Sequence, residues 1–231
     1  PIGIDVERFA GAAEQPGTET AVDALREQLN RPRKVLLGVD RLDYTKGIAQ
    51  RLRAYGELLD EDRISADDTV LVQIAEPSRT NVNGYADIRA EVEQLVGEIN
   101  GKYGTMDGPA VMYLHRSHDF DELIALYRLA DVMLVTPFRD GMNLVAKEYV
   151  ATRFDDTGAL VLSEFAGAAH ELDRAVLVNP YDTDGLKHAI EHAVRMPMAE
   201  QAERMSAMRA NVNKSTAHTW ARSFIAELEG E

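Results

Sequence analysis

Residues 131–151 read DVMLVTPFRDGMNLVAKEYVA. A short apolar run, DVMLV, leads through Thr136-Pro137-Phe138 and Arg139-Asp140-Gly141 into apolar residues at helical spacing that carry Lys147 and Glu148. The stretch reads strand, turn, helix. Its strand shows no polar alternation, which is the pattern of a strand covered on both faces and therefore of a parallel sheet. A charged turn before a partly exposed helix would also account for the charges, so the decision rests on whether the unit recurs along the chain.

Apolar runs recur at Lys34–Val39, Thr69–Ala75, Ala110–His115, Asp131–Thr136, Ala159–Ser163 and Ala175–Val178. Helical patterns lie between and after them, at 47–60, 84–102, 119–130, 143–154, 183–195, 199–212 and 214–229. Asp119 and Asp182 stand where N-caps belong. Alternating units of this kind predict an α/β fold with a doubly wound, parallel, Rossmann-like sheet. Residues 1–33 are mixed: Gly11–Thr18 reads as loop and Glu19–Leu29 as one amphipathic helix. The chain opens at Pro1-Ile2-Gly3-Ile4-Asp5 without a methionine, and a partner domain is expected to precede it. The helix within 214–231 is expected to pack toward that domain.

The 231 residues are 45% hydrophobic and 28% charged, the composition of a chain that can bury a core. A net charge of −14 and a pI near 4.9 argue against nucleic acid or an anionic membrane as partner. They leave room for a small anion held by a local cation cluster and backbone N–H groups. The absence of cysteine removes disulfides and thiolate metal sites. With no membrane-length apolar run and no signal peptide, a soluble cytoplasmic protein is expected.

Ligands of doubly wound sheets sit beyond the C-terminal strand ends. After the first strand, Arg41 and Lys46 lie in a loop that feeds a helix N-terminus, a place for a phosphate or diphosphate. That loop is neither a P-loop nor G-x-G-x-x-G, and a charged surface turn is the alternative. Arg79, after the second strand, could meet a second anion or be a solvated surface group. After the third strand come His118 and the apolar Phe120, Leu123 and Ile124, against which a flat base could rest or which could simply pack in the core. After the fourth, Gly141 allows positive φ or close approach, and the N–H groups of Met142, Asn143 and Leu144 are expected to point out of a helix start, toward an anion or oxygen ligands. Asp140 suits sugar hydroxyls, and Glu148, one turn past Leu144, suits a ribose diol. Lys147 is expected to form a salt bridge or pack its stem. His188 and His192 stand at i, i+4, but no carboxylate completes a metal triad. Trp220 and Phe224 read as helix packing.

VDRLDYTKGI (39–48), QIAEPSR (73–79), TPFRDGMNLVAKEYVA (136–151) and SEFAGAAHEL (163–172), with the spacing between them, resemble the trehalose-6-phosphate synthases, retaining glycosyltransferases of family 20. The resemblance runs along the whole chain and corresponds to the C-terminal, donor-binding half of a two-domain GT-B enzyme. It implies transfer of glucose from UDP-glucose, or ADP- or GDP-glucose, to glucose 6-phosphate with retention, through an oxocarbenium-like transition state. It places Arg41 and Lys46 on the donor diphosphate, and Asp140, Gly141, Met142 and Asn143 around the transferred glucose. Arg41, Lys46 and Asp140 would act electrostatically on the reacting centre. It puts Leu144, Val145 and Glu148 on the donor, His118 and Leu123 at the base, and Arg79 on the acceptor phosphate. No cofactor or metal is implied, and the full-length enzyme is expected to be a homo-oligomer. A related GT-B transferase of the glucosylglycerol-phosphate synthase kind, or a silent regulatory nucleotide-sugar sensor, are the competing readings.

Overall fold

The computed structural model describes residues 2–29, 34–77 and 83–229. Strands β1 (Lys34–Arg41), β2 (Thr69–Glu76), β3 (Val111–Leu114), β4 (Val132–Val135), β5 (Ala159–Ser163) and β6 (Val176–Val178) form one sheet in the order β3-β2-β1-β4-β5-β6. Every pairing is parallel. The expected α/β class and doubly wound sheet are therefore what the chain forms.

Both faces of the sheet are dry, which explains the unbroken apolar runs. Val35, Leu37 and Val39 of β1 join a core that includes residues of α2 (Pro16–Gln28), α5 (Phe120–Leu129), α6 (Leu144–Thr152) and α8 (Met198–Lys214). Leu36 and Leu71 point to the opposite core, built with α3 (Ile48–Asp60), α4 (Asn83–Tyr103) and α7 (Thr183–Arg195). Each odd–even pair thus buries one side chain per face. Asp119 and Asp182 cap α5 and α7 as expected, accepting from the N–H groups of Glu122 and Gly185.

The reading of Gly11–Thr18 as loop is overturned. A helix α1 (Val6–Ala13) takes in Gly11–Ala13, and α2 begins at Pro16. Asp5 caps α1 through Arg8 N–H at 3.1 Å, and Pro16 stands at the first turn, where its missing donor costs nothing. The last helix, α9 (Ala217–Glu229), leaves Trp220, Phe224, Ile225 and Leu228 exposed. Trp220 and Phe224 stack on each other with centroids 5.5 Å apart, at the surface rather than within the core. No helix of the described residues is long and apolar enough to cross a membrane.

The order in which strands are added reverses between β1 and β4. Along β1, pairing with β2 runs in register from Lys34↔Thr69 to Arg41↔Glu76, whereas pairing with β4 is confined to Leu36↔Val132 and Leu37↔Met133. Beyond that point the two strands are joined from below by Arg51 of α3, which is completely buried. Its Nη1 donates to Asp40 Oδ2 at 2.7 Å and Gln73 Oε1 at 2.9 Å, and its Nε to Thr136 Oγ1 at 3.1 Å. Gly38 leaves the space: a Cβ there would fall 2.2 Å from Arg51 Nη1. Arg51→Ala removes the cation and strands a buried Asp40 carboxylate. We expect the variant to lose about 3–5 kcal/mol of stability in urea denaturation.

Candidate active site

The loops after β1 and β4 are built as one unit. Asp43 Oδ1 accepts from Thr45 N and Oγ1, both at 2.8 Å, which shapes a single 3-10 turn at Tyr44–Lys46. Gly47 ends that turn at φ +66° and starts α3; an added Cβ would lie 2.4 Å from the Thr136 carbonyl oxygen. The Thr45 carbonyl accepts from Phe138 N at 2.7 Å. The Lys46 loop is thereby fastened to the stretch that carries Asp140.

Asp140 is the centre of the arrangement. Its Oδ1 accepts from the N–H groups of Met142 at 3.2 Å and Asn143 at 3.1 Å. Its Oδ2 accepts from Lys46 Nζ at 2.6 Å and Asn143 Nδ2 at 3.1 Å. Four donors fill the lone-pair capacity of one carboxylate. The expectation that the Met142 and Asn143 N–H groups stand open to an anion is therefore corrected, because Asp140 holds both. Asn143 also caps α6, with Oδ1 accepting from Ala146 N at 3.1 Å. Among the described residues, the first-turn N–H groups of Leu144 and Val145 have no such acceptor, and they are the donors α6 can offer a ligand.

Gly141 does not have the special geometry expected of it. It is exposed, its φ is ordinary, and nothing lies within 4 Å of a Cβ built there. Positive φ falls instead on Asn143, at +63°, and the close approach falls on Gly167, where a Cβ would meet the Gly141 carbonyl oxygen at 2.0 Å. Gly167 N donates to the Asp140 carbonyl at 3.0 Å and Ala168 N to the Met142 carbonyl at 2.8 Å, so the segment after β5 locks the turn.

Burial works to raise the Asp140 pKa, but the hydrogen bond and charge of Lys46, with the Met142 and Asn143 donors, outweigh it and hold the carboxyl below its ordinary 3.8. Arg41 ends β1 with its side chain exposed. Glu148 is half-buried on α6 and accepts at Oε2 from the Tyr127 hydroxyl at 2.9 Å. Burial raises its pKa, against the opposing effect of that hydrogen bond. His118 has a sealed imidazole, 3.8 Å from Glu122 Oε1, with both nitrogens lacking a hydrogen bond. Burial lowers its pKa and favours the neutral ring. Leu123 packs partly against the core. Arg79 lies outside the described residues.

Two buried groups escaped any site reading of the sequence. Lys147 is fully buried and donates to Glu171 Oε1 at 2.5 Å and to the Ile2 carbonyl at 2.9 Å, the salt bridge expected of it. Tyr127 reads as an ordinary core residue of an amphipathic helix, and only the fold shows that its hydroxyl meets Glu148. His188 bonds the Asp184 carbonyl at 2.7 Å, and no cluster of three metal-binding groups occurs among the described residues.

A parallel sheet whose strand order reverses at β1/β4 defines the doubly wound, Rossmann-like class of α/β domains. Comparison with known sequences narrows the class: the profile of glycosyltransferase family 20 matches residues 1–230, and the chain belongs to that family. It is 55% identical over 228 residues to the trehalose-6-phosphate synthase of Mycolicibacterium smegmatis, covering 99% of this chain and 45% of that protein. A UDP-forming α,α-trehalose-phosphate synthase from Burkholderia xenovorans, solved in complex with glucose-6-phosphate, superposes with a TM-score of 0.94 at 40% identity, over 99% of this chain and 50% of that one. The Escherichia coli enzyme bound with UDP-2-fluoro glucose gives 0.93 at 41% identity, over 99% and 50%. The chain thus spans about half the length of these relatives, and its sheet is one Rossmann-like half of their GT-B fold.

The Lys46–Asp140 pair carries a pH test. The stability contributed by ionised Asp140 is complete above its ordinary pKa of 3.8 and is lost as pH falls through the lower folded value. In Lys46→Met, burial is no longer outweighed by that cation, so the Asp140 pKa should rise and the acid-dependent loss of stability due to this group should shrink, reversing sign if the folded value passes 3.8. Carboxyl carbon-13 NMR titration of both proteins measures the shift directly.

Proposed function

We propose that this chain is the sugar-nucleotide-binding half of a cytoplasmic retaining glucosyltransferase that joins the glucose of UDP-glucose to glucose 6-phosphate, giving trehalose 6-phosphate and UDP. The observation that carries the reading is the joining of the loops after β1 and β4 at the strand-order reversal, which sets Lys46 on Asp140 beside the start of α6. The relatives whose complexes hold glucose-6-phosphate and UDP-2-fluoro glucose support the choice of ligands. In the reaction the bond between the anomeric carbon and the diphosphate breaks, a bond from the acceptor hydroxyl to that carbon forms on the same face, and the hydroxyl proton leaves with the departing phosphate.

Arg41 forks the diphosphate, while Lys46 and the N–H groups of Leu144 and Val145 take the charge that develops on it. Asp140 is saturated by its four donors, so it cannot grip a sugar hydroxyl while Lys46 stays on Oδ2. A diphosphate that draws Lys46 away frees that oxygen, so binding of the leaving group and grip on the transferred glucose are coupled. Met142 and Asn143 hold Asp140 in place, and with Gly141 of the same turn they lie around the transferred glucose. Glu148 accepts from the ribose diol, Leu123 and the main chain at His118, whose ring is sealed, border the base, and Arg79 meets the acceptor phosphate. The apolar face of α9 and the cavity of about 690 Å³ between it and Ile4–Glu7 receive the remaining half of the full-length protein.

Calorimetry with UDP tests the donor reading. Arg41→Ala should weaken binding about 10- to 100-fold, the loss of a charge-assisted hydrogen-bond pair, while Arg79→Ala should leave it within about threefold. Equal losses would mean that donor and acceptor cations are confused. The chain by itself should bind UDP without forming trehalose 6-phosphate from UDP-glucose and glucose 6-phosphate; measurable product would show that the donor half suffices.

A further inference from the structure

Tyr127 is 1% exposed, and its ring belongs to the core beneath α5 and α6. Its hydroxyl nevertheless donates to Glu148 Oε2 at 2.9 Å. Glu148 Oε1 has no hydrogen bond among the described residues. We propose that Tyr127 is a positioning residue, fixing one oxygen of Glu148 so that the other is presented to the ribose diol of the nucleotide. The inference rests on the reading of Glu148 as the ribose-binding group.

The terminal torsion of a glutamate is broad, so a carboxylate held by neither oxygen samples many orientations and loses affinity when a diol must select one. Tyr127 removes that freedom because its own placement is rigid. Arg153, at the C-terminal end of α6, donates to the carbonyls of Tyr127, Arg128 and Ala130 at 3.3, 2.8 and 3.0 Å, tying the end of α5 to the helix that bears Glu148. The direction of the bond is settled as well. Burial and the negative charges of Glu148, Glu76 and Asp40 hold the phenol proton firmly on Tyr127, so it donates and the carboxylate accepts. If the ring served the core alone, phenylalanine would fill the same volume and nothing at Glu148 would change.

The test compares UDP with 2′,3′-dideoxy-UDP by calorimetry on the wild-type chain, Tyr127→Phe, Glu148→Ala and the double variant. The ratio of the two affinities on one sample cancels any difference in folded fraction. The wild type should prefer UDP about tenfold or more, and Glu148→Ala should abolish the preference. Tyr127→Phe should cut the ratio about three- to tenfold through UDP alone, with dideoxy-UDP affinity unchanged. The double variant should match Glu148→Ala. A wild-type ratio in Tyr127→Phe beside a collapsed one in Glu148→Ala would overturn the positioning role and leave the ribose reading standing. An unchanged ratio in Glu148→Ala would overturn the ribose reading and this inference together.

Discussion

The buried guanidinium of Arg51 holds the sheet together where its hydrogen bonding stops. β1 and β4 pair at only two positions, and the strand ends past them frame the crevice of the doubly wound fold. Desolvating a cation costs several kcal/mol, and the Asp40 carboxylate at 2.7 Å offsets this without adding much net stability. An apolar side chain of similar volume could match it in free energy. It could not bond Asp40 on one strand and Thr136 on the next, and that spacing is what the site uses. Asp40 immediately precedes Arg41, and the Thr136 carbonyl abuts Gly47 at the start of α3. The origins of both functional loops are therefore set from a single side chain beneath them.

Above that foundation, Asp140 organises its surroundings through its own lone pairs. A carboxylate three residues before a helix cap would ordinarily compete with a ligand for the helix N–H groups. Here it takes only the Met142 and Asn143 donors, which lie ahead of the helix proper, and leaves those of Leu144 and Val145. Asn143 adopts φ +63°, a conformation that asparagine tolerates better than most residues, and its side chain bonds both Asp140 and Ala146. Lys46 crosses from the other loop to complete the set, at a burial that shields the pair from solvent without sealing it.

The fold was legible because the sheet is covered on both sides. Leu36 and Leu37 belong to different cores, and so the run KVLLGV has no polar alternation to disguise. The same runs place the strand-end loops, and the structure brings Lys46 of one loop onto Asp140 of another. What escaped was set by distant partners. Arg51 meets a threonine 85 residues on, and Tyr127 meets a glutamate 21 residues on; helical periodicity counts one as an exposed charge and the other as core. The turn's sequence points to Gly141 as the glycine that needs positive φ or close approach, yet the tight approach is made from Gly167 on the next crossover. Local sequence announces that a turn needs a small residue, but only the packing of two loops decides which one supplies it.

The overall charge of −14 does not oppose the binding of an anion at this place. Charges farther off than about 8 Å are largely screened at physiological ionic strength, so the local field follows the groups within that reach. Near the reversal these are Arg41, Lys46 and the positive end of α6, with Asp40 already neutralised by Arg51 and Asp140 by Lys46. Asp40 and Asp140 are thus paired, while Glu148, which has no cation partner among the described residues, is half-buried with its pKa raised by burial. In the proposed function the cations and helix N–H groups would take the phosphates, and the carboxylate held by Tyr127 would take the ribose.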